Sequence, residues 1–295
     1  MHLSRGCFPS GSGGVIACAT DPGRGGPTIT TQVYAASLAK QVVAACAALL
    51  VREGSLDIEA PTRQWLPSVP PGIRLRHLIH HTGGLPCDAE GSAVGGEPSR
   101  RGDRTTAGVL AAADRLIAPV GEQQIYSNVG YVALAEVIAR VAGEDLPSFA
   151  RRRIFEPLGM RDTVFWTGPG PAPPGAAPLD PPHPAPLSIG DGGMWSTAAD
   201  LLRWAAALDA DELGITAVVQ TPGRLDDGTV LDYAWGMGVR DYDGLTGYQH
   251  GGSFSDVRLA LVRVPEKAFD LVIVALADRT ERSAALRDRL VRLAS

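Results

Sequence analysis

The longest apolar stretch of the chain runs from Leu38 to about Glu53 and predicts a helix. Its apolar residues occupy nearly every face of that helix instead of one stripe, which indicates burial inside the molecule. Gly54 follows and suits the C-terminal cap. A second stretch, from Tyr131 to Ala142, has the same character and is closed by Gly143. The pattern therefore predicts two buried helices.

The last part of the chain has the character of β-strands. Residues Val257–Val264 alternate, with Arg258 and Arg263 predicted to point outward, and the uninterrupted apolar run Leu271–Ala277 predicts a central strand. A turn separates the two, so we expect antiparallel neighbours. A helix from Glu281 to Leu293 is expected to cover one face of this sheet.

Extended segments are also predicted near the amino terminus and ahead of the final strands. Val15–Thr20 and Thr28–Tyr34 form a predicted hairpin, whereas residues 1–13 have no clear period and are expected to be an irregular arm. Tyr233–Val239 and Tyr248–Ser253 are strand-like. Glycines in the last segment would allow a ligand to approach the backbone closely.

The middle of the chain is mostly helical in pattern. Shorter helices are predicted from Leu75, over Thr106–Ile117 and over Ala198–Leu208, the last capped by the Ser-Thr pair before it. Segments 89–104 and 167–187 are predicted loops, because the first is polar and the second carries nine prolines. The pattern therefore places strands at both ends of the chain and helices between them.

Composition narrows the class of protein. The 295 residues are 45% hydrophobic, which excludes the disordered and fibrous classes and allows a large core. A net charge of −5, with arginines scattered among acids, gives no footprint for nucleic acid. No run approaches the ~18 to 20 apolar residues of a membrane span, and no apolar signal region follows Met1. We therefore expect no nucleic-acid or membrane partner and a cytoplasmic location.

Neither the cysteines nor the histidines have the spacing of a metal site. All four cysteines are interpreted as free thiols, with a bridge between Cys7 and Cys18 as the alternative. The adjacent His80 and His81 do not face one another on a helix, and no third ligand follows at a plausible spacing. We expect hydrogen-bonded loop histidines, and no metal or other cofactor.

Ser37 and Lys40 stand three residues apart where the first buried helix begins. On a helix this spacing puts both side chains on one face, and a lysine with a lowered pKa can activate a serine nucleophile. A capping serine beside a snorkelling lysine is the structural alternative. Of the 27 basic residues only Lys40 and Lys267 are lysines, and arginine cannot lose its proton at ordinary pH. This bias favours the catalytic interpretation.

Two further motifs carry candidate chemistry. Tyr126-Ser127-Asn128 contains the only asparagine of the chain, and a helix-capping asparagine beside a core tyrosine is the structural alternative. His250-Gly251-Gly252-Ser253 lies in a predicted strand.

Taken in order, Ser37-x-x-Lys40, Tyr126-x-Asn128 and His250-Gly251-Gly252 resemble the class C β-lactamase and D-Ala-D-Ala carboxypeptidase superfamily of serine hydrolases. That superfamily also holds family VIII esterases and acyltransferases. The resemblance covers about residues 30 to 290.

The resemblance implies an α+β fold of the β-lactamase/transpeptidase type, in which helices flank a central antiparallel sheet. It implies a single domain over residues 1–295, with an α/β lobe at about 1–75 and 225–295. A helical lobe is inserted at about residues 76–224, and the site lies in the groove between the lobes.

The resemblance also implies catalytic roles. Ser37 would be the nucleophile and Lys40 the base that activates it. Tyr126 would pass a proton to the leaving group and help to activate the deacylating water. Asn128 would hydrogen-bond Lys40 or the acyl amide.

The third motif would bind substrate. Backbone N–H groups of Ser37 and Ser253 would form the oxyanion hole, and His250 would line the groove with Gly251 and Gly252. Lys40 and His250 are the cations expected to hold a proton acceptor in this groove.

The chain departs from the family pattern in two ways. β-Lactamases usually carry Lys-Thr-Gly in the third motif, whereas His250-Gly251 offers neither a permanent charge nor a hydroxyl. This favours esters or acyl groups without a fixed carboxylate. In addition, Ser37 comes too early for the helix and strand that usually precede it. The sheet edge is then bare, covered by a partner chain or capped by residues 1–13.

These observations predict a serine hydrolase that forms an acyl-enzyme on Ser37. Its substrate would be a small-molecule carboxylic ester or short acyl amide. Three alternatives remain: an acyltransferase of the same mechanism in a biosynthetic pathway, a β-lactamase or D-aminopeptidase-type amidase, and a non-catalytic binding protein. The oligomeric state is left open.

Overall fold

A computed structural model describes residues 27–88, 105–180, 188–276 and 287 in full, and residues 2–7 and 13–19 by their backbone. Seven α-helices lie within these residues: α1 Ala39–Arg52, α2 Leu75–Ile79, α3 Thr106–Leu110, α4 Asn128–Ala142, α5 Leu146–Ala150, α6 Ala198–Asp209 and α7 Thr216–Val219. The strands are β1 His2–Cys7, β2 Gly13–Ala19, β3 Val33–Tyr34, β4 Val164–Phe165, β5 Met194–Ser196, β6 Gly238–Tyr242, β7 Leu245–Phe254, β8 Val257–Val264 and β9 Phe269–Ala275.

The larger sheet runs in the order β1-β2-β9-β8-β7-β6. Its neighbours are antiparallel except β2 and β9, which are parallel. Strand β9 is buried from Asp270 to Ala275, as its apolar run predicts for a central strand. Helix α6 packs against β9, and α1 contacts α4, α5 and α7. The predicted α+β arrangement of an antiparallel sheet flanked by helices is confirmed.

The amino-terminal prediction was wrong in two respects. The expected irregular arm contains β1, which pairs with β2 and forms the edge strand of the large sheet. The segment before Ser37 does not pair with β2, because Val33–Tyr34 joins a small sheet with β5 and β4. Backbone hydrogen bonds form between strands of any composition, so a glycine-rich segment can pair without an apolar period. The register sets Cys7 opposite Gly13 and Cys18 opposite His2, at opposite ends of the hairpin, too far apart for the alternative bridge.

Arg263 does not point outward as predicted. Its side chain is fully buried and forms an ion pair with Asp209 of α6, and its Nε lies 3.9 Å from Oδ1 of Asp270 on the neighbouring strand. Helix α6 covers this end of the sheet and supplies the carboxylate that makes burial of the guanidinium tolerable. Arg258 on the same strand is partly buried.

The two long buried helices are confirmed. Helix α1 is followed by Gly54 with φ 71°. Helix α4 begins at Asn128 and not at Tyr131, because the Ser127 hydroxyl accepts a hydrogen bond from the Gly130 N–H at 2.9 Å and caps the helix there.

Two predicted elements are shorter than their patterns indicate. Helix α3 ends at Leu110 and a 3₁₀ turn continues it, because the Ile117 N–H donates to the Gly84 carbonyl instead of continuing a helical ladder. The predicted strand from Tyr233 begins only at Gly238, because the Ala234 N–H donates to the Met237 carbonyl and closes a tight turn.

The predicted helix at 281–293, apart from helical Arg287, lies outside the described residues, as do the loop at 89–104 and part of the proline-rich segment. Residues 167–180 contain no helix or strand. In the part of the chain that the structure describes, no helix has both the length and the apolar character that crossing a membrane would need.

Candidate active site

Ser37 lies in a 3₁₀ turn, Ala36–Leu38, that leads directly into α1. Ala36 has φ 47°, a left-handed conformation that costs an alanine about 1 to 2 kcal/mol. Such strain persists only where the surrounding structure enforces it. Ala36 and Leu38 are buried while Ser37 keeps part of its surface exposed. The turn therefore presents the serine hydroxyl at the start of a buried helix.

Lys40 is fully buried one helical turn further on. Its Nζ lies 3.2 Å from Ser37 Oγ, 2.8 Å from Asn128 Oδ1 and 2.7 Å from the carbonyl oxygen of Asp191. A hydroxyl, an amide oxygen and a backbone carbonyl oxygen thus surround the amine. No carboxylate lies within ion-pair distance among the residues that the structure describes. The amine is thus held against the serine by neutral oxygens.

The Asn128 side chain connects Lys40 to Asp88. Its amide nitrogen donates to Asp88 Oδ1 at 2.8 Å, and its backbone N–H donates to the Cys87 carbonyl at 2.8 Å. A lysine donor on one side and a carboxylate on the other fix which amide atom faces which partner. Asn128 is therefore not the helix cap that the structural alternative predicted, since Ser127 fills that position.

The Asp191 carbonyl reaches Lys40 because the glycines around it allow an unusually close approach. A Cβ atom at Gly190, where φ is 121°, would lie 2.5 Å from the Tyr131 carbonyl oxygen. A Cβ atom at Gly192 would lie 2.2 Å from the Tyr34 hydroxyl oxygen. The predicted tight turn is therefore pressed between α4 and β3, and this packing aims the carbonyl at the amine.

Tyr126 stands at the mouth of the site, with 37% of its surface exposed. Its ring centre is 4.9 Å from Lys40 Nζ and 4.5 Å from the ring centre of His81. Nδ1 of His81 accepts from the Ser127 N–H at 3.1 Å, which leaves Nε2–H to donate to the Tyr233 hydroxyl at 3.2 Å. Burial lowers the pKa of His81 well below its ordinary value, so the ring is neutral. His81 is thus a hydrogen-bonded loop histidine, as predicted, and packs against Tyr126.

His250 is neutral near pH 7, contrary to the prediction that it supplies a cation. Desolvation, and secondarily the nearby Lys40 charge, lowers its pKa from 6.5 to about 4. Nδ1 lies 2.6 Å from the Gly251 carbonyl oxygen and must donate to it. Nε2 then carries a lone pair and can act only as an acceptor.

The two glycines after His250 have different surroundings. A Cβ atom at Gly252 would lie 2.5 Å from the Ala35 carbonyl oxygen, so β7 approaches the turn before Ser37 more closely than any side chain allows. A Cβ atom at Gly251 would find only the Leu259 carbonyl oxygen, at an ordinary 3.6 Å. Gly252 therefore permits a close approach of β7 to the nucleophile turn, and the approach of a ligand to these glycines stays a prediction.

An open cavity of about 340 Å³ lies along this part of β7. The residues that line it include Ser37, Tyr126, and the whole segment from His250 to Ser253. Lys40 and Asn128 lie beside it, bonded to Ser37 and to each other. The structure thus brings all eight predicted site residues to one place.

Sequence reasoning missed three residues near this site: Asp88, Asp191 and Arg258. Asp88 follows the turn-rich segment after α2 without a motif of its own, and Asp191 contributes a backbone carbonyl, which no side-chain pattern can reveal. Arg258 lines the cavity although strand alternation predicted that it points to solvent. The glycine run around Asp191 was the one available signal.

Sequence comparisons match the chain to a protein family and to named relatives. A model of the Beta-lactamase family matches residues 11–295. The D-alanyl-D-alanine-carboxypeptidase/endopeptidase AmpH of Escherichia coli K12 is 29% identical over 60% of this chain and 49% of its own length. Penicillin-binding protein 4* of Bacillus subtilis is 29% identical over 68% of this chain and 51% of its own. The chain spans about half the length of the curated relatives it matches.

Solved structures have the same fold at lower identity. A penicillin-binding protein homologue from Pyrococcus abyssi, described as octameric, superposes with a TM-score of 0.73 at 22% identity, over 88% of this chain and 65% of its own. A D-amino acid amidase from Ochrobactrum anthropi SV3 gives 0.73 at 23% identity, over 91% and 87%. The match to the family model covers nearly the whole chain. The chain therefore belongs to the beta-lactamase family.

Proposed function

We propose that this protein is a serine hydrolase that forms an acyl-enzyme on Ser37 and acts on a carboxylic ester or short acyl amide. One observation carries the proposal: the Lys40 amine lies 3.2 Å from Ser37 Oγ and is held there by Asn128 and Asp191, next to an open cavity. A serine hydroxyl becomes a competent nucleophile only when a base is positioned to take its proton.

In the acylation step, Ser37 Oγ attacks the substrate carbonyl carbon while its proton passes to the Lys40 amine. The bond to the leaving alcohol or amine then breaks as Tyr126 delivers a proton to that leaving group, and Tyr126 recovers a proton from the neighbouring Lys40, which returns to the neutral amine. Because the cation at Lys40 rests on neutral oxygens, gain and loss of its proton require no rearrangement of an ion pair.

The negative charge that develops on the carbonyl oxygen needs donors on the side away from Lys40. Backbone N–H groups of Ser37 and Ser253 are the proposed donors, since β7 runs against the turn that carries Ser37. Deacylation repeats the steps with water as nucleophile, which releases the acid and restores the serine hydroxyl.

Relatives support cleavage of acyl bonds. The curated relatives include proteins named as D-alanyl-D-alanine carboxypeptidases, and a structural neighbour is named a D-amino acid amidase. These names favour amides among the two substrate classes.

The two lysines of the chain provide a matched test. We expect Lys40→Met to lower kcat by on the order of 10²-fold or more with p-nitrophenyl esters and D-amino acid p-nitroanilides, because the base is lost. Lys267→Met, in the exposed turn after β8, should leave kcat unchanged. Ser37→Ala should abolish turnover of every acyl substrate.

Unchanged hydrolysis by Ser37→Ala would overturn the proposal. Equal losses from the two lysine variants would show that Lys40 is not the base.

A further inference from the structure

The backbone of His81 has a conformation that glycine adopts far more readily than other residues. Its φ is 60°, in the left-handed region, and its side chain is almost fully buried. A residue other than glycine stays in that region only where the surrounding structure enforces it, and such residues cluster at functional sites. A glycine here would relieve the backbone and remove only the imidazole. The contacts of the imidazole therefore indicate what this strained position provides.

His81 holds the chain on both sides of Tyr126. Its carbonyl oxygen accepts from the Ile125 N–H at 2.8 Å, and its Nδ1 accepts from the Ser127 N–H at 3.1 Å. The Ser127 N–H belongs to the peptide group that follows Tyr126, and Ser127 is buried, so loss of the imidazole would leave a buried donor unpaired. The residues before and after Tyr126 are thus bonded to the same partner.

The side chain of Tyr126 is oriented through its ring and not through its hydroxyl. Among the residues that the structure describes, no hydrogen bond includes this hydroxyl. The ring centre lies 4.5 Å from that of His81, with 40° between the two planes, whereas the ring centre of His250 is 6.3 Å away. The hydroxyl is therefore available to a leaving group, and the ring that carries it lies against His81.

The imidazole is itself fixed. Its Nε2–H donates to the Tyr233 hydroxyl at 3.2 Å, and the ring centres of Tyr131 and Tyr233 each lie 4.9 Å from its own. Burial holds the pKa of His81 well below its ordinary value, so Nδ1 keeps the lone pair that the Ser127 N–H needs. His81 does not line the cavity, so any effect it has on a substrate passes through its neighbours.

We propose that His81 is the positioning residue of Tyr126: its imidazole fixes the peptide group after Tyr126 and packs against the phenol ring, which directs the hydroxyl toward the leaving group. This inference rests on the proposed acyl-enzyme function, in which Tyr126 is the proton donor. It adds a residue that places the donor and does not itself touch the substrate.

Esters that differ only in their leaving group test this role. A p-nitrophenolate departs near pH 7 without a proton, whereas an ethoxide needs one, so only the second reaction depends on a well-placed acid. We would measure kcat/KM, which reports acylation, for the p-nitrophenyl and ethyl esters of butyric acid and of D-alanine. The ratio of ethyl to p-nitrophenyl ester does not depend on how much of a variant is folded.

The reference variant is Tyr126→Phe, which should lower this ratio by on the order of 10²-fold. We expect His81→Leu to lower it by about tenfold or more, because the phenol loses its fixed position. His81→Asn should restore part of the ratio, since asparagine tolerates a positive φ and its Oδ1 can accept from the Ser127 N–H. Tyr233→Phe, which removes only the acceptor of Nε2–H, should lower the ratio less than His81→Leu.

The neighbouring histidine is the matched control. His80 is also buried, and its ring contact is with Trp235, at 6.0 Å between ring centres. His80→Leu should therefore reduce the yield of folded protein and leave the ratio of the two rates unchanged.

The outcomes separate the two proposals. A ratio that falls in Tyr126→Phe but not in His81→Leu, or that falls equally in His80→Leu, would overturn the role of His81 and leave the acyl-enzyme intact. An unchanged ratio in Tyr126→Phe would remove both the proton donor and its positioning residue, while Ser37 could still be acylated. Absence of any ester hydrolysis that Ser37→Ala abolishes would overturn both proposals.

Discussion

A buried lysine ordinarily needs an anionic partner, because transfer of its charge out of water is costly. The acceptors around Lys40 are instead a hydroxyl, an amide oxygen and a backbone carbonyl. Of these three acceptors, the hydroxyl belongs to the candidate nucleophile Ser37 and the carbonyl to the backbone of Asp191. The amide oxygen of Asn128 is the one that a substitution can remove without changing the nucleophile. The position of the lysine amine should therefore depend strongly on this one amide.

Ser127 and Asn128 are neighbours with separable tasks. We expect Asn128→Ala to lower kcat by on the order of 10²-fold, because Lys40 Nζ loses an acceptor and its fixed position. Ser127→Ala should instead lower the free energy of unfolding by about 1 to 2 kcal/mol through loss of the cap on α4, with a smaller effect on kcat.

Steady-state kinetics and urea denaturation of both variants check this division. If Asn128→Ala lost stability and kept its kcat, the side chain would be structural and its link to Lys40 incidental.

At the residue scale, sequence could predict those side chains whose chemistry is distinctive. Lys40 and Asn128 stood out because the chain has so few lysines and only one asparagine. The Asp191 carbonyl could not be predicted, since any residue has one. His250 lies beside the other candidate residues, but its neutral state follows from desolvation and from the nearby Lys40 charge, which no sequence pattern contains.

At the scale of elements, β7 and the turn before α1 form one unit. The Ala35 carbonyl oxygen occupies the space that a Cβ atom at Gly252 would need, at 2.5 Å. The chain holds Ala36 in a left-handed conformation at the same contact. The separation between the Ser37 and Ser253 N–H groups is therefore set by backbone packing.

Two adjacent glycines test this packing. We expect Gly252→Ala to push the Ser37 turn away from β7 and to lower kcat by on the order of 10²-fold or more, because one oxyanion donor is displaced. Gly251→Ala should keep most of the activity, since its Cβ atom would meet only the Leu259 carbonyl oxygen at 3.6 Å.

Rates for a small neutral ester, measured for both variants beside their melting temperatures, distinguish the two positions. Equal losses at Gly251 and Gly252 would show that the contact with Ala35 does not set the oxyanion geometry.

Elements with a strong period were predictable, and those made by backbone contacts were not. Helices α1 and α4 and strands β8 and β9 follow from their apolar patterns. Strand β1 has no comparable pattern and is defined by its pairing with β2.

At the scale of the whole molecule, the buried carboxyl group of Asp270 links folding to pH. This side chain is buried beside Arg263, and its Oδ1 accepts no hydrogen bond from the described residues. Desolvation, and secondarily the charge of Asp209, raises the pKa of Asp270 from 3.8 to about 7. Between about pH 4 and pH 7, Asp270 is therefore protonated in the folded protein but ionised in the unfolded chain.

Stability should fall as the pH rises through this window, because the folded state binds more protons than the unfolded state. Each unit of pKa shift corresponds to about 1.4 kcal/mol. We expect Asp270→Asn to remove this loss of stability. The free energy of unfolding of the variant should rise relative to that of the wild type between pH 4 and pH 7, and the difference between the two should be constant above about pH 8.

Urea denaturation at pH 5 and pH 8 measures the effect, with Asp232→Asn at an exposed position as the control. Identical pH dependence in the wild type and Asp270→Asn would show that Asp270 is already ionised in the folded state.

The assignment of one domain with two lobes, at about 1–75 with 225–295 and at 76–224, stays a prediction. Contacts between α6 and β9 show that helices of the middle segment pack directly on the large sheet. A boundary drawn from sequence alone therefore divides elements that share a core.

The most direct test of the account is the intact mass of the protein after brief mixing with acyl donors: p-nitrophenyl esters, a penicillin, a D-alanyl thioester and a fluorophosphonate probe. We predict, for at least one donor, a mass increase equal to the transferred group, located on the peptide that contains Ser37 and absent from Ser37→Ala. An adduct that persists in Ser37→Ala, or no adduct from any donor, would contradict the proposal that Ser37 is the nucleophile.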